Sequence, residues 1–512
     1  MKVEILDTTL RDGEQTSGVA FTESEKLTLA QLIIDELGVD RLEIASARVS
    51  DGEYRGAQNI LDWANQKTVM VTKSKYSVFV DGGKSLDWIK EANGQVMNLL
   101  TKGSLKHCTA QLRKTPEEHL ADIAETITYA DKLGIDINVY LEDWSNGMMD
   151  SPEYVYQMVE GLQKTSVKRI MLPDTLGVLN HEDVSKYCTD MVKRFPDVHF
   201  DFHAHNDYDL SVANVFEALQ AGMKGIHTTL NGLGERAGNV PLSSVVGIMK
   251  DHLNLEVNLD ETKLYKVSKV VEAFSGVRIP ANKPLIGEFV FTQTSGVHAD
   301  GDSKDNLYQT ALEPSRFGRS YTYALGKLSG KANILKNLEA LGIQLSSEET
   351  KKVTERIIEL GDKKETITQE DLPFIVNDVL GNSVSDPTVE ILNYSLSVAK
   401  GLKPSATISV SLDGIVQEET APGDGQYDAF MNALLKIYAT VGRTFPKLVD
   451  YEVRIPPGGN TDALVMTTIS WNWNGKILKT KGLDPDQTVA AIKATTRMLN
   501  IVESKEVKEY AV

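Results

Sequence analysis

Two cysteines, Cys108 and Cys188, are all that 512 residues offer for cross-linking. That excludes a disulfide framework and fits a reducing compartment, with the cytoplasm as the default. No apolar run approaches the roughly eighteen residues a membrane helix needs, so no membrane partner is expected. No basic region leading into an apolar stretch opens the chain, so a signal peptide is not expected either. Positive charge is in deficit: 54 Lys and Arg face 72 Asp and Glu, for a formal net charge of -18. Non-specific nucleic-acid binding is thereby disfavoured, although a local cationic cluster would still suit a small anion. What remains is the composition of a folded globular protein, longer than one hydrophobic core usually supports, so two or more domains are expected.

Up to about residue 260 strand and helix patterns alternate. Strands are expected at 3–8, 41–45, 96–100, 135–140, 169–173, 199–205 and 225–231, all rich in Val, Ile and Leu. Amphipathic stretches at 23–37, 116–133, 151–163 and 211–222 separate them. In "TPEEHLADIAETITYADKLG" Thr115 reads as an N-cap and Pro116 as the first turn, with Glu117 and Glu118 at the positive dipole end and Gly134 past the end. One further strand lies somewhere in 68–83. Eight strand–helix units predict an α/β fold, a closed TIM (β/α)8 barrel over residues 1–265, with its chemistry at the C-terminal strand ends. A mainly helical linker region, 266–385, and a C-terminal α+β domain, 386–512, are expected to follow. The last segment repeats weakly: strands within 406–419 and a helix at 427–441, then strands at 449–455 and 464–483 and a helix at 488–500. The stretch 384–405 reads as a boundary.

Two stretches carry chemistry. In "HFDFHAHND", 199–207, His203 and His205 project from the same strand face, because side chains two apart point the same way. Neutral imidazoles suit divalent metals of borderline softness. One strand on, "NGLGERAGN" ends in Asn239, whose amide oxygen is a candidate third ligand. Its glycines lack the spacing of a dinucleotide loop. In a barrel the first strand closes beside the eighth, which brings Asp12 of "DTTLRDGEQTSG" to the same rim. Arg11 beside it can hold an anionic group by a two-pronged hydrogen bond. Taken singly, each stretch could be packing or a surface turn; together they predict a metal site.

With these residues placed, the chain resembles the acetyl-CoA-dependent 2-oxoacid condensing enzymes, the isopropylmalate, homocitrate and citramalate synthases. The markers are "LRDGEQ" (10–15), "HAHND" (203–207), "NGLGERAGN" (231–239) and "SGVHADGD" (295–302). "EIASARVS" (43–50), "NVYLEDWSNG" (138–147), "LPDTLGVL" (172–179) and "HNDYDLSVAN" (205–214) are similar to the pyruvate-using, citramalate-forming branch. The resemblance implies a divalent metal (zinc, manganese or magnesium) held by Asp12, His203, His205 and Asn239. It also implies a homodimer, and a C-terminal regulatory and dimerisation domain that binds an amino acid, with isoleucine as the expected effector.

The implied reaction joins acetyl-CoA, pyruvate and water to give citramalate and CoA. By the resemblance Arg11 grips the pyruvate carboxylate and Thr175 hydrogen-bonds it, while Asp12 also meets the substrate. Tyr140 and Leu100 line the methyl pocket, and Glu142, two residues beyond Tyr140, is the candidate base. His298 and Tyr308 are expected to assist catalysis, and Asp300, Asn306, Leu307 and Tyr308 to meet acetyl-CoA. One departure bears on the acceptor. Ser77-Val78 stands before "FVDG" where the pyruvate-using branch tends to have Leu-Gly. A pocket change of this kind alters selectivity by only about 10- to 200-fold, so a larger acceptor, 2-oxoisovalerate or 2-oxobutyrate, stays open as the first alternative. A CoA-independent metal-dependent aldolase or lyase is the second alternative, and an amino-acid sensor with an inert barrel the third.

Overall fold

In a computed structural model, residues 3–46, 50–66, 79–81, 83–293, 307, 310–327, 329–340, 343–362, 367, 372–380, 389–454 and 465–503 are described. The chain divides into two compact units, Met1–Thr292 with Tyr308–Thr322, and Gln293–Leu307 with Tyr323–Val512. Among the described residues no helix is long and apolar enough to cross a membrane.

The first unit is built on parallel strands: β1 (Glu4–Asp7), β2 (Arg41–Leu42), β3 (Ala45–Ser46), β4 (Phe79–Asp81), β5 (Val96–Lys102), β6 (Asp136–Glu142), β7 (Arg169–Asp174), β8 (Phe200–Ala204) and β9 (Gly225–Thr228). They hydrogen-bond in the order β2-β1-β9-β8-β7-β6-β5-β4-β3. Only Glu43 and Ile44 separate β2 from β3, so the two ends of the sheet are halves of one interrupted strand. The barrel is closed, as the alternation predicts. The strand expected within 68–83 is β4; residues 67–78, including Ser77 and Val78, lie outside the described residues.

Two apolar layers hold the barrel. A large core joins the outer strand faces to the helices, through residues such as Ile5, Leu42, Ile137, Ile170 and Ile226. Inside the barrel, Leu6, Tyr140 and Met171 form a small separate cluster. Below them, at the N-terminal strand ends, the interior is charged. Arg41 Nη2 lies 2.5 Å from Asp201 Oδ2, and Arg169 Nη2 lies 2.8 Å from Glu4 Oε2. Buried ions of this kind persist only when paired. Helices begin where their caps dictate. Thr115 and Glu118 form a reciprocal capping box on Pro116–Leu133, which ends at Gly134 in the left-handed conformation.

In the second unit, helices Lys331–Ala340, Ser347–Asp362 and Leu372–Leu380 share a core of Ile334, Leu338, Val353, Ile357 and Leu372. Two sheet-plus-helix modules follow. The first is an antiparallel sheet of β10 (Val389–Ser397), β11 (Ser405–Leu412) and β12 (Ile415–Pro422), with helix Gln426–Thr440. The second is β13 (Lys447–Arg454), β14 (Val465–Trp473) and β15 (Lys476–Asp484), with helix Gln487–Glu503. β10 corrects the sequence reading, because it lies inside the stretch taken as a boundary. A register shift between Ile391 and Asn393 breaks its alternation, and Leu392 and Tyr394 are exposed, which hid the strand.

Candidate metal centre

The barrel brings together the residues expected to meet at its mouth. β1 pairs with β9, and β9 with β8, so the turn after β1 faces the ends of both. Asp12 Oδ2 lies 3.2 Å from His203 Nε2 and 3.8 Å from His205 Nε2. The ligand atoms of Asp12, His203 and His205 all lie within 4.8 Å of one another, and all three side chains are buried. Asn239 bridges to His205 through the backbone, and Asn206 N–H donates to Gly238 O at 2.9 Å, folding the 231–239 loop onto the end of β8. A Cβ at Gly234 would lie 2.2 Å from Asn239 Nδ2 and 3.2 Å from Asp12 Oδ1, so this close approach needs glycine.

Electrostatics prepare the cluster for a cation. Burial alone would raise the Asp12 carboxyl, but Arg11 and the two imidazoles hold it well below the ordinary carboxylate range. Burial pushes His203 down, and His205 down to about 4, so both rings are neutral at pH 7 with a nitrogen lone pair to offer. Among the described residues, Asp12 Oδ1 and Asn239 Oδ1 are buried with no hydrogen-bond partner. Leaving such oxygens unpaired is costly unless an ion satisfies them. One carboxylate, one amide oxygen and two neutral imidazoles fit a divalent metal.

Arg11 is held beside this cluster. Its Nε donates to Glu43 Oε2 at 2.6 Å, its Nη1 lies 3.3 Å from Asp12 Oδ2 and its Nη2 donates to Tyr140 Oη at 3.4 Å. Glu43 also accepts from Asn98 Nδ2 at 2.6 Å. The Tyr140 hydroxyl lies 3.0 Å from His227 Nδ1, whose Nε2 is 3.2 Å from Asp201 Oδ2. Paired charges hold Asp201 ionised against its burial, so the His227 proton sits on Nε2. The Tyr140 hydroxyl also lies 3.3 Å from Glu43 Oε1, so its single proton has two acceptors within reach, the His227 ring and the Glu43 carboxylate. Glu43, Asn98 and His227 escaped the sequence reading, because single polar residues in apolar strands read as packing.

Three of the remaining expected residues lie at the C-terminal ends of β5, β6 and β7. Leu100 pairs in register with Tyr140 and is exposed, and Glu142 lies one pleat further along β6, half-buried, in an ion pair with Lys102. Thr175 Oγ1 accepts from Asp143 N–H at 2.9 Å, which leaves its own hydroxyl proton free to donate elsewhere. Leu307 is exposed and belongs to the second unit. His298, Asp300, Asn306 and Tyr308 lie outside the described residues.

The HMGL-like family model matches residues 2–271, more than half of the chain. The homocitrate synthase post-HMGL domain-like model matches 285–365, and the LeuA allosteric (dimerisation) domain model 366–503. The chain is 32% identical to the (R)-citramalate synthase of Methanocaldococcus jannaschii over 509 residues, 98% of this chain and 100% of that one. It is also 32% identical to the 2-isopropylmalate synthase of Pyrococcus furiosus over 511 residues, 98% of this chain and 99% of that one. The chain belongs to the isopropylmalate and homocitrate synthase family. A crystal structure of the Bacillus subtilis HMG-CoA lyase superposes with a TM-score of 0.50 at 22% identity, covering 56% of this chain and 98% of the lyase, which bears on the barrel fold alone. This family member is thus a condensing enzyme of the acyltransferase type. Its relatives that differ in named product stand at the same identity, so overall likeness does not choose the acceptor.

Proposed function

We propose that the enzyme condenses acetyl-CoA with pyruvate to give (R)-citramalate and CoA, with water consumed in releasing the thiol. The observation that carries this reading is the placement of the Arg11 guanidinium directly beside the Asp12–His203–His205 cluster. A 2-oxoacid carries a carboxylate next to a keto oxygen, and this mouth offers an anion grip next to a metal donor set. Asp12, His203, His205 and Asn239 would hold the cation (zinc, manganese or magnesium), which when bound supplies Lewis-acid polarisation of the keto group.

The chain's own residues do the rest. Glu43 anchors the Nε edge of Arg11, which orients the Nη groups for the substrate carboxylate. Thr175 donates its hydroxyl proton to the same carboxylate. Tyr140, whose hydroxyl is held between Glu43 and His227, forms the wall of a small pocket with Leu100. Glu142 takes a proton from the acetyl methyl group, the difficult step because a thioester is a weak carbon acid. His298, Asp300, Asn306, Leu307 and Tyr308 meet acetyl-CoA and assist the transfer.

The barrel (1–265), the linker region (266–385) and the C-terminal domain (386–512) have separate roles, the last being dimerisation and feedback inhibition by isoleucine. Two buried free cysteines accord with a reducing compartment such as the cytoplasm, and the match to a LeuA dimerisation domain supports a homodimer. The test is a panel of 2-oxoacids with acetyl-CoA, read by thiol release. Pyruvate should give the highest kcat/KM. A higher value for 2-oxoisovalerate would reassign the acceptor, and no thiol release with any acceptor would remove the condensing reaction.

A further inference from the structure

Glu142 and Lys102 stand opposite each other in register at the C-terminal ends of β6 and β5. In paired parallel strands such partners point to the same side, here the side of Tyr140 and Leu100. Lys102 Nζ pairs with Glu142 Oε2, and the lysine side chain is 10% exposed against 27% for the glutamate. A buried ammonium placed on a half-open carboxylate is a directed contact, unlike a surface ion pair between two freely moving chains.

The backbone around Lys102 is fixed on every side. Its N–H donates to His119 Nε2 at 3.1 Å. Burial pushes His119 down to about 4, so that ring stays neutral and keeps its acceptor. The Lys102 carbonyl accepts from Tyr154 Oη at 2.9 Å. The next peptide N–H, of Gly103, donates to the Glu142 carbonyl at 2.6 Å. A Cβ at Gly103 would lie 2.3 Å from the Leu141 carbonyl oxygen, so the close approach of the two strand ends requires glycine there. These contacts tie the end of β5 to the end of β6 and leave Lys102 little freedom beyond its own stem.

From this we infer that Lys102 is the positioning residue of the base. It holds Glu142 Oε2 and so turns Oε1 toward the substrate as the oxygen that receives the methyl proton. The inference rests on the reading of Glu142 as the base. It adds that the geometry of that base is set by one neighbouring ammonium, and that Lys102 acts only through Glu142.

The test compares Lys102→Met, Lys102→Arg, Glu142→Gln and the double variant Lys102→Met/Glu142→Gln in the full-length, metal-loaded enzyme. Metal content and thermal melting establish that each is folded. Glu142→Gln should lower kcat by about 100-fold or more, the usual worth of a general base. Lys102→Met should lower kcat by roughly 10-fold or more with KM for pyruvate within about twofold, because an interaction made only in the transition state is removed. Lys102→Arg, which can still reach the carboxylate, should recover most of that loss. The double variant should be no slower than Glu142→Gln alone. Wild-type kcat in Lys102→Met beside an inactive Glu142→Gln overturns the Lys102 role and leaves the base assignment standing. Multiplying losses in the double variant overturn it too, since Lys102 would then act independently. Wild-type turnover in Glu142→Gln overturns the base assignment and the Lys102 role together.

Discussion

Asp7 and Asp12 flank one turn and meet opposite electrostatic fates. Asp12 is kept ionised by Arg11 and the imidazoles, whereas Asp7 is buried with one backbone donor, Thr9 N–H at 3.0 Å, and burial pushes its carboxyl up to about 7. The native chain therefore binds the Asp7 proton more tightly than the unfolded chain, whose carboxyl titrates near 4. Stability attributable to that proton is present at low pH and is lost as pH rises toward 7. Asp7→Asn removes the charge and keeps an acceptor for Thr9. It should raise Tm by several degrees at pH 8 and by less at pH 5, and an equal gain at both values would show that Asp7 does not titrate as its burial implies. Asp12→Ala should abolish bound metal in elemental analysis while the protein still folds, and full occupancy would remove Asp12 from the donor set. Asp12, His203 and His205 were legible because their spacing has meaning only in a closed barrel. Glu43 was overlooked although an acid inside "RLEIA" carries a signal: a charge in an apolar strand needs a partner. Arg11 is that partner, reaching from the turn after β1 to the segment between β2 and β3, a pairing that no local pattern displays.

Elements were legible where chain chemistry is local. The helix Pro116–Leu133 is announced by its cap, its proline and its first-turn acids, and it folds within those limits. Thr115→Ala should therefore cost about 1 kcal/mol in a denaturant titration, since it removes the side-chain acceptor of the Glu118 N–H and leaves only the backbone arm of the capping box. Its kcat should be unchanged, and a large loss of kcat would mean that this helix bears on the mouth rather than on stability alone. Elements were obscured where pairing is long-range. β10 draws its register from β11, with a bulge that a one-strand pattern cannot show. The two hairpins of the C-terminal modules did have a local signature. Asp413-Gly414 and Asn474-Gly475 all adopt positive φ, the two-residue turn that matches strand twist, and they mark the repeat more sharply than hydrophobicity does.

At the scale of the molecule, the proposed metal donors and the C-terminal modules belong to different units with different cores. Asp12, His203, His205 and Asn239 lie in the first unit, while the core of the C-terminal modules is built from residues such as Ile408, Phe430, Trp471 and Met498. A ligand that binds only the native state lowers the population of open states in the segment it holds, in proportion to its saturation. Divalent metal added to chelator-treated enzyme should therefore slow amide exchange in the ends of β1 and β8 and in the 231–239 loop. Isoleucine at millimolar concentration should instead slow exchange within 389–503. Each ligand thus has its own expected map. If isoleucine leaves every amide of 389–503 unchanged while metal protects the barrel mouth, the effector assignment fails and the metal assignment stands. If metal protects no barrel segment, the donor set reads as a buried polar cluster. The chemistry proposed for the mouth would then lose its support, whatever the C-terminal modules bind.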